Sequence, residues 1–455
     1  MVFVMKVSIV GCTHAGTFSA MNILKEHPDW EVSVFERNDN LSFLSCGIAL
    51  WVSDRVSDPN KMFYASPEAL SGLGAHMYMQ HDVTDIDFDN KKLAVKNLVS
   101  GETFEQDYDK LVITTGSAPV IPPIEGIDSS RVMLCKNWTN AKELQENAKG
   151  IKSAIVIGAG YIGAELAEGY ATLGKETTLI DALPHVLAKN LDPNMSAIAE
   201  KDYLDNNVTL GMNEKVESFK ETDHSVIVKT DKNTYEADIA VMCVGFRPNT
   251  KMFADEFDTL PNGALIVDKY MHTSKPDVFS AGDAASVFYN PTNDDQYIPL
   301  ATNSVRQGIL VGKNIEKDTA AYMGTQASSA VELFGRTYAA SGLTKEHAEV
   351  LGKKVDSVSL EDNYRPEFML TTTPVLMNLV WDPETREVLG GALTSKYDVS
   401  QSANLLSLAI QKKVTIDELS MVDFLFQPNF DKPVNYVSAL AGAAVEKADS
   451  AVVAD

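Results

Sequence analysis

The stretch SFLSCGIAL, residues 42–50, sets a single cysteine, Cys46, against a glycine in an apolar run. A dithiol enzyme carries its second thiol about a turn away, but the next cysteine after Cys46 is Cys135. A reactive thiol so isolated cannot close an internal disulfide, so its oxidised form is a sulfenic acid or a mixed disulfide. Most free cysteines are small buried hydrophobes, and Cys12, Cys135 and Cys243 read that way. Cys46 differs because Gly47 and the run Ile48-Ala-Leu-Trp-Val52 read as a helix opening, where the dipole favours a thiolate. His14, in the glycine loop Gly11-Cys-Thr-His-Ala-Gly16, is the second group suited to chemistry, since imidazole moves protons near neutral pH.

The elements around these residues are those of a nucleotide fold. Lys6–Val10 reads as a buried strand, Thr17 to about His27 as a helix, and Glu31–Phe35 as a second strand ending on the acid Glu36. The arrangement recurs: a strand at Ser153–Ile157, the loop Gly158-Ala-Gly-Tyr-Ile-Gly163, a helix, then Thr177–Ile180 ending on Asp181. A dinucleotide fold needs one glycine for the tight turn, a second for backbone approach to the pyrophosphate and a third for helix packing, with an acid for the ribose. Gly158, Gly160, Gly163 and Asp181 meet every term. The first copy carries Thr13 where the middle glycine would stand, and Glu36 together with the duplication restores the assignment. Two such modules imply a flavin and a nicotinamide held face to face. Leu111–Gly116, Asp238–Gly245 and Asp277–Asp283 are further strands entering turns, and Pro119 to Pro123 is a linker. From about residue 330 the pattern changes to a β-rich Phe368–Leu376, a turn at Asp382–Arg386 and a helix over Ser400–Lys413, which reads as a third, α+β domain.

A chain of 455 residues accommodates two or three such domains. Its net charge of −24 opposes nucleic acid and anionic membrane surfaces as partners. Four irregularly spaced cysteines make neither a disulfide framework nor a zinc pattern, and no metal site is expected. With MVFVMKVSIVG running straight into a strand and no apolar stretch of membrane length, the expectation is a cytoplasmic protein.

The ordered motifs GCTHAG (11–16), SFLSCG (42–47), TTGSAP (114–119), GAGYIGAE (158–165), VFSAGDAA (278–285) and FQPNFDKPVNY (426–436) cover essentially the whole chain. Together they resemble the flavin-dependent pyridine nucleotide-disulfide oxidoreductases, in the single-cysteine branch that contains NADH oxidases, NADH peroxidases and coenzyme A-disulfide reductases. The resemblance implies an α/β fold with two Rossmann-like domains: an FAD domain at 1–120 and 250–328, an NAD(P)H domain at 121–249, and a C-terminal α+β dimerisation domain at 329–455 that makes a homodimer. It implies FAD contacts from Gly11, Thr13, Ala15, Gly16, Glu36, Cys46, Val83, Thr114, Thr115, Gly116, Ser117, Lys136, Asp283, Ala301 and Thr302. NADH contacts are implied for Gly158, Gly160, Tyr161, Ile162, Gly163, Glu165, Asp181 and Gly245, with Tyr161 beside the nicotinamide pocket. Cys46 and His14 are implied as the catalytic pair.

The implied cycle passes hydride from NADH to the flavin and reduces oxygen to peroxide. The Cys46 thiolate traps that peroxide as a sulfenic acid while His14 assists proton transfer, and a second NADH restores the thiol. Phe426-Gln-Pro-Asn-Phe430 resembles the oxidase and peroxidase type more than the coenzyme A-disulfide reductases. Thr13 and Asn435-Tyr436 resemble oxidases, which reduce O2, more than peroxidases, which reduce H2O2. Asp181 favours NADH by repelling a 2′-phosphate, while His185, Lys189 and Asn190 leave NADPH open. Rival classes are a carrier-reducing flavoprotein, disfavoured by the acidic surface, and a flavin-bound redox sensor.

Overall fold

The computed structural model describes residues 4–454; residues 1–3 and 455, which belong to the expected first and third domains, lie outside it. Its first sheet is parallel, in the order Val278–Ser280, Lys110–Ile113, Lys6–Val10, Glu31–Glu36, Ala75–Met79. The second is also parallel, in the order Thr209–Met212, Glu176–Asp181, Ser153–Ile157, Ile239–Met242, Val132–Leu134. Strands buried on both faces need continuous apolar runs, and Ser153–Ile157 is SAIVI with its last four residues buried. Each parallel sheet is accompanied by a three-stranded antiparallel sheet, His81–Asp87 with Lys92–Asn97 and Thr103–Asp107, and Val216–Glu221 with Val226–Thr230 and Thr234–Ala237. The third large sheet is antiparallel, in the order Ser329–Leu333, Arg336–Gly342, Val388–Ser395, Pro374–Trp381, Asp356–Asn363. The helices Ser400–Gln411 and Tyr436–Ala454 pack on it.

Two boundaries differ from the sequence reading. The first loop helix begins at His14 and ends at Glu26 rather than running from Thr17 to His27. His14 is therefore the opening residue of the helix and not a loop residue. The strand expected over Phe368–Leu376 begins only at Pro374. The apolar residues read as its start, Phe368 and Leu370, are exposed, and Arg365 draws the chain into a loop by donating from Nε to the carbonyl of Thr371 at 2.7 Å.

The glycine loops are fixed by the strands they cross. Gly11 has φ +92°, and a β-carbon there would lie 2.3 Å from the carbonyl oxygen of Thr114; Gly158 has φ +103° and would meet the Cys243 carbonyl at 2.4 Å. Gly101 has a comparable φ of +80° with nothing within 4 Å. Gly101→Ala should thus cost about 1 kcal/mol for the left-handed backbone alone. Gly11→Ala should cost at least about 2 kcal/mol more, because backbone has to move. Thermal unfolding of the two variants tests this; equal losses would show that the crossing at Gly11 yields easily.

Candidate active site

Each glycine loop is held by the acid at the end of the adjacent strand. Glu36 accepts from the Cys12 N–H and the Asn38 N–H, each at 2.8 Å. Asp181 accepts from Ala159 N–H at 2.6 Å and Leu183 N–H at 2.8 Å. The acids thus position the loops, and they stand at the strand end where a dinucleotide fold carries its ribose-binding acid. Beyond the loops lie the N-termini of the His14–Glu26 and Tyr161–Thr172 helices, whose free N–H groups suit a pyrophosphate. A β-carbon on Gly160 or Gly116 would meet nothing within 4 Å, so backbone is bared to open space at both places. Thr115 Oγ1 and Tyr297 Oη are buried without a hydrogen-bond partner among the described residues. Bare glycine backbone at one helix entrance and at one strand-end turn, together with orphaned hydroxyls, fits a chain that holds two dinucleotides.

Cys46 sits in a three-residue 3₁₀ turn, Ser45–Gly47, ahead of the short helix Ile48–Val52. Its loop is braced from behind: Leu44 N–H donates to Met62 O at 2.8 Å and Ser42 Oγ to Ala65 O at 2.8 Å. Phe43 packs against Phe63 and Trp138, each with ring centroids 5.4 Å away. The side chain itself is exposed. The expectation that the helix opening favours a thiolate is corrected here. Partial burial pushes the Cys46 thiol up, the carboxylates of Glu165 and Asp283 add to the shift, and Lys136 opposes it. Five helical residues supply too little dipole to reverse that balance. The other thiols are further from reaction: burial raises Cys12 and Cys135 to about 12 and lifts Cys243 as well.

His14 and Cys46 share neighbours, since Asp283 and Lys136 influence both. Asp283 accepts from Ser117 Oγ at 2.6 Å and from Lys136 Nζ at 3.2 Å, and the ammonium lies 4.0 Å from the centroid of the Phe246 ring. His14 Nδ1 is 2.9 Å from the hydroxyl of Tyr64, which donates to Thr13 O at 3.2 Å. With its proton so used, Tyr64 accepts from Nδ1–H, which leaves Nε2 of a neutral His14 as a free acceptor. Burial lowers His14 from its ordinary value and keeps it neutral at pH 7. Tyr64 and Tyr297 carried no motif in the sequence; their roles arise from chain segments that meet only on folding.

The remaining expected residues have these local settings. Ala15 is buried against Gly282, Thr114 Oγ1 donates to Gly11 O at 2.7 Å, and Ala301 and Thr302 open the helix to Asn314. Val83 is buried in an apolar cluster with Val10 and Phe35, so its side chain has no polar task. Gly245 turns the chain at φ +102°, and Ile162 and Gly163 continue the Tyr161 helix. Glu165, one turn beyond Tyr161, is raised to about 7 by burial and by Glu168, with Arg55 opposing; Arg55 itself is paired with Glu168 at 2.5 Å.

Fold and site define a class, and comparison with known proteins gives the same one. Residues 5–308 match the description "Pyridine nucleotide-disulphide oxidoreductase" and residues 329–436 its dimerisation domain. The chain belongs to the pyridine nucleotide-disulphide oxidoreductase family. It is similar to an NADH oxidase of Enterococcus faecalis, 51% identical over 97% of this chain and 100% of the relative. Its structure is similar to that of the water-forming NADH oxidase from Lactobacillus brevis bound to NADH, with TM-score 0.98, 56% identity and coverage of 98% and 100% of the two chains. An engineered water-forming NADPH oxidase bound to NADPH matches equally, at TM-score 0.98 and 56% identity.

The Glu165 shift has a direction that can be measured. An acid whose native pKa is raised from 4.5 to about 7 binds more protons folded than unfolded between those values, so stability falls as pH rises through that window. Glu165→Gln should remove this part of the slope. Unfolding temperatures compared at pH 5 and pH 8 should differ less in the variant than in the parent; an unchanged difference would mean that Glu165 is ionised throughout.

Proposed function

We propose that this chain is an NADH oxidase that reduces O2 to water with two NADH, through FAD and a Cys46 thiol–sulfenic acid couple. The observation that carries the reading is one exposed thiol set among Asp283, Lys136 and Glu165, in a chain with two acid-held glycine loops. The similarity to a water-forming NADH oxidase over nearly the whole chain supports it. In this reading residues 1–120 and 250–328 form the FAD domain, with Glu36, Thr114–Ser117, Lys136, Asp283, Ala301 and Thr302 as its contacts. Residues 121–249 hold NADH on Gly158–Gly163 and Asp181, and residues 329–455 form a homodimer. The match to a dimerisation domain and the exposed apolar side chains Phe368, Leu370, Met421, Leu425 and Phe430 support the last assignment, since a patch of that kind marks a protein contact. No helix among the described residues is long and apolar enough to cross a membrane, and four unpaired thiols support a reducing compartment such as the cytoplasm.

Bound FAD would supply hydride acceptance from NADH and electron delivery to oxygen. The chain supplies the disposal of peroxide. His14 Nε2 takes the proton of the Cys46 thiol, which its surroundings otherwise keep protonated. The sulfur attacks one peroxide oxygen, the O–O bond breaks, and the departing hydroxide recovers the proton from His14 as water. Tyr64 keeps Nδ1 occupied throughout, so that Nε2 is the nitrogen that exchanges. Return of the sulfenic acid to the thiol consumes the second NADH and releases the second water.

Counting NADH, O2 and H2O2 in aerated buffer tests the reading. The parent should consume two NADH per O2 and release no peroxide, and Cys46→Ser should consume one NADH per O2 and release one H2O2. Clean water formation by Cys46→Ser would sink the thiol trap, and NADH loss only on addition of H2O2 would make the chain a peroxidase.

Nucleotide choice follows from Asp181, whose carboxylate is held by two backbone N–H groups and cannot swing away from a 2′-phosphate. In the engineered NADPH-bound relative, the substitutions include an aspartate replaced by alanine and the next residue replaced by arginine. Asp181→Ala combined with Ala182→Arg should shift the ratio of kcat/KM for NADPH over NADH upward by about 100-fold or more, the worth of a charge repulsion exchanged for an ion pair. An unchanged ratio would place nucleotide selection elsewhere.

A further inference from the structure

Tyr161 opens the helix that follows the second glycine loop, and its hydroxyl is 2.6 Å from Ser329 Oγ. These residues come from different domains. Ser329 is the first residue of the match to the dimerisation domain and begins the strand Ser329–Leu333.

The serine stands on a rigid base. It pairs in register with Ala340 of the neighbouring strand, and Gln326, just before it, is tied by its carbonyl to Gly342 N–H at 2.7 Å and by its side chain to Ser407 at 3.0 Å. Ser341 Oγ lies 2.8 Å from Ser328 Oγ and donates to Ala403 O at 2.8 Å. The tyrosine ring packs against a buried apolar cluster, while Gly160, which precedes it, is extended at φ −73° and ψ −177° and faces open space. Tyr161 directly follows the open Gly160 backbone, and Glu165, one helical turn on, acts electrostatically on both Tyr161 and Cys46.

We propose that Ser329 is a positioning residue for the nicotinamide: its hydroxyl fixes the Tyr161 ring as a wall of the nicotinamide seat, so that the C-terminal domain shapes the hydride-donor site of the nucleotide domain. The inference rests on the NADH oxidase reading. It assigns Ser329 no contact with the nucleotide; the effect passes through Tyr161. The adenosine and ribose end, held at Asp181, lies outside its reach.

The test uses FAD-loaded protein and two non-reducing probes, NAD⁺ and ADP-ribose, which lacks the nicotinamide, titrated calorimetrically. Ser329→Ala should weaken NAD⁺ by about threefold to tenfold, the worth of one hydrogen bond, while leaving ADP-ribose within about twofold. Ser329→Thr, which keeps a hydroxyl, should restore NAD⁺ affinity. Tyr161→Phe should weaken NAD⁺ similarly, and adding Ser329→Ala to it should have little further effect, because both remove one bond. Equal changes for the two probes, no change for either, or tighter NAD⁺ binding in Ser329→Ala would overturn the proposal. Failure of the unaltered protein to bind either probe would overturn the NADH reading itself, so the two failures are distinct.

Discussion

Two places where backbone crosses backbone govern the rest of the molecule. At Gly11 and Gly158 a strand turns into a helix directly beneath the end of a neighbouring strand, with room for no side chain. The ladders converge on the same points: Gly11 N–H donates to Phe35 O at 2.8 Å and Thr114 N–H to Val10 O at 2.9 Å, while Gly158 N–H donates to Ile180 O and Cys243 N–H to Ile157 O, both at 2.7 Å. Because the same crossing is built twice, two helix N-termini are presented at the carboxyl ends of two parallel sheets, where open α/β sheets bind ligands. The acids Glu36 and Asp181 close each crossing by accepting loop N–H groups that would otherwise have no partner.

The charge balance around Cys46 has consequences for how such a site stays selective. A thiol pushed up first by burial, and then by Glu165 and Asp283 against one ammonium, Lys136, rests protonated. Thiolate reactivity falls with it, and an exposed sulfur is thereby spared indiscriminate oxidation and disulfide exchange. In the proposed reading the reaction requires a base, and His14 is offered with one nitrogen free: Tyr64 donates to Thr13 O, accepts from His14 Nδ1–H, and leaves Nε2 available. Lys136 is shared between Asp283 and the Phe246 face, so its position, and with it the shift on Cys46, is set by groups outside the thiol loop.

How much of this was legible in the sequence depends on whether a feature is local. Gly11, Gly158 and Gly163 announce themselves because only glycine satisfies a crossing, and Glu36 and Asp181 because a dinucleotide strand ends on an acid. Cys46 was legible by its isolation. The sign of its pKa shift was not, because it is set first by burial in the folded chain and then by Glu165 and Asp283, both more than a hundred positions away. Tyr64 reaches His14 across fifty positions and Ser329 reaches Tyr161 across 168, and neither sits in a pattern that could be read. Phe368 and Leu370 misled in the opposite direction: apolar residues in an apparently β-rich run turned out to be exposed loop residues, because apolar character marks a buried surface without saying whether another element or another chain buries it.

The third domain is tied into the nucleotide site at more than one point. The helix Pro193–Asp205 is held at both ends: Asp192, just before it, accepts from Asn378 Nδ2 at 2.9 Å and Lys345 N–H at 3.1 Å, and Asp202 accepts from Arg336 Nε at 2.8 Å and Tyr338 Oη at 3.0 Å. Burial raises Asp192 from its ordinary value, the mark of a carboxylate taken from water into a contact that must stay closed to be tolerable. Two clamps on one helix fix its tilt as well as its distance, since a single contact would leave it free to pivot. The helix therefore cannot turn against the C-terminal sheet without exposing both carboxylates at once. The same helix is joined to the one that follows the second glycine loop, Tyr203 Oη donating to Ala164 O at 2.7 Å, so the two clamps bear on the Tyr161–Thr172 helix as well.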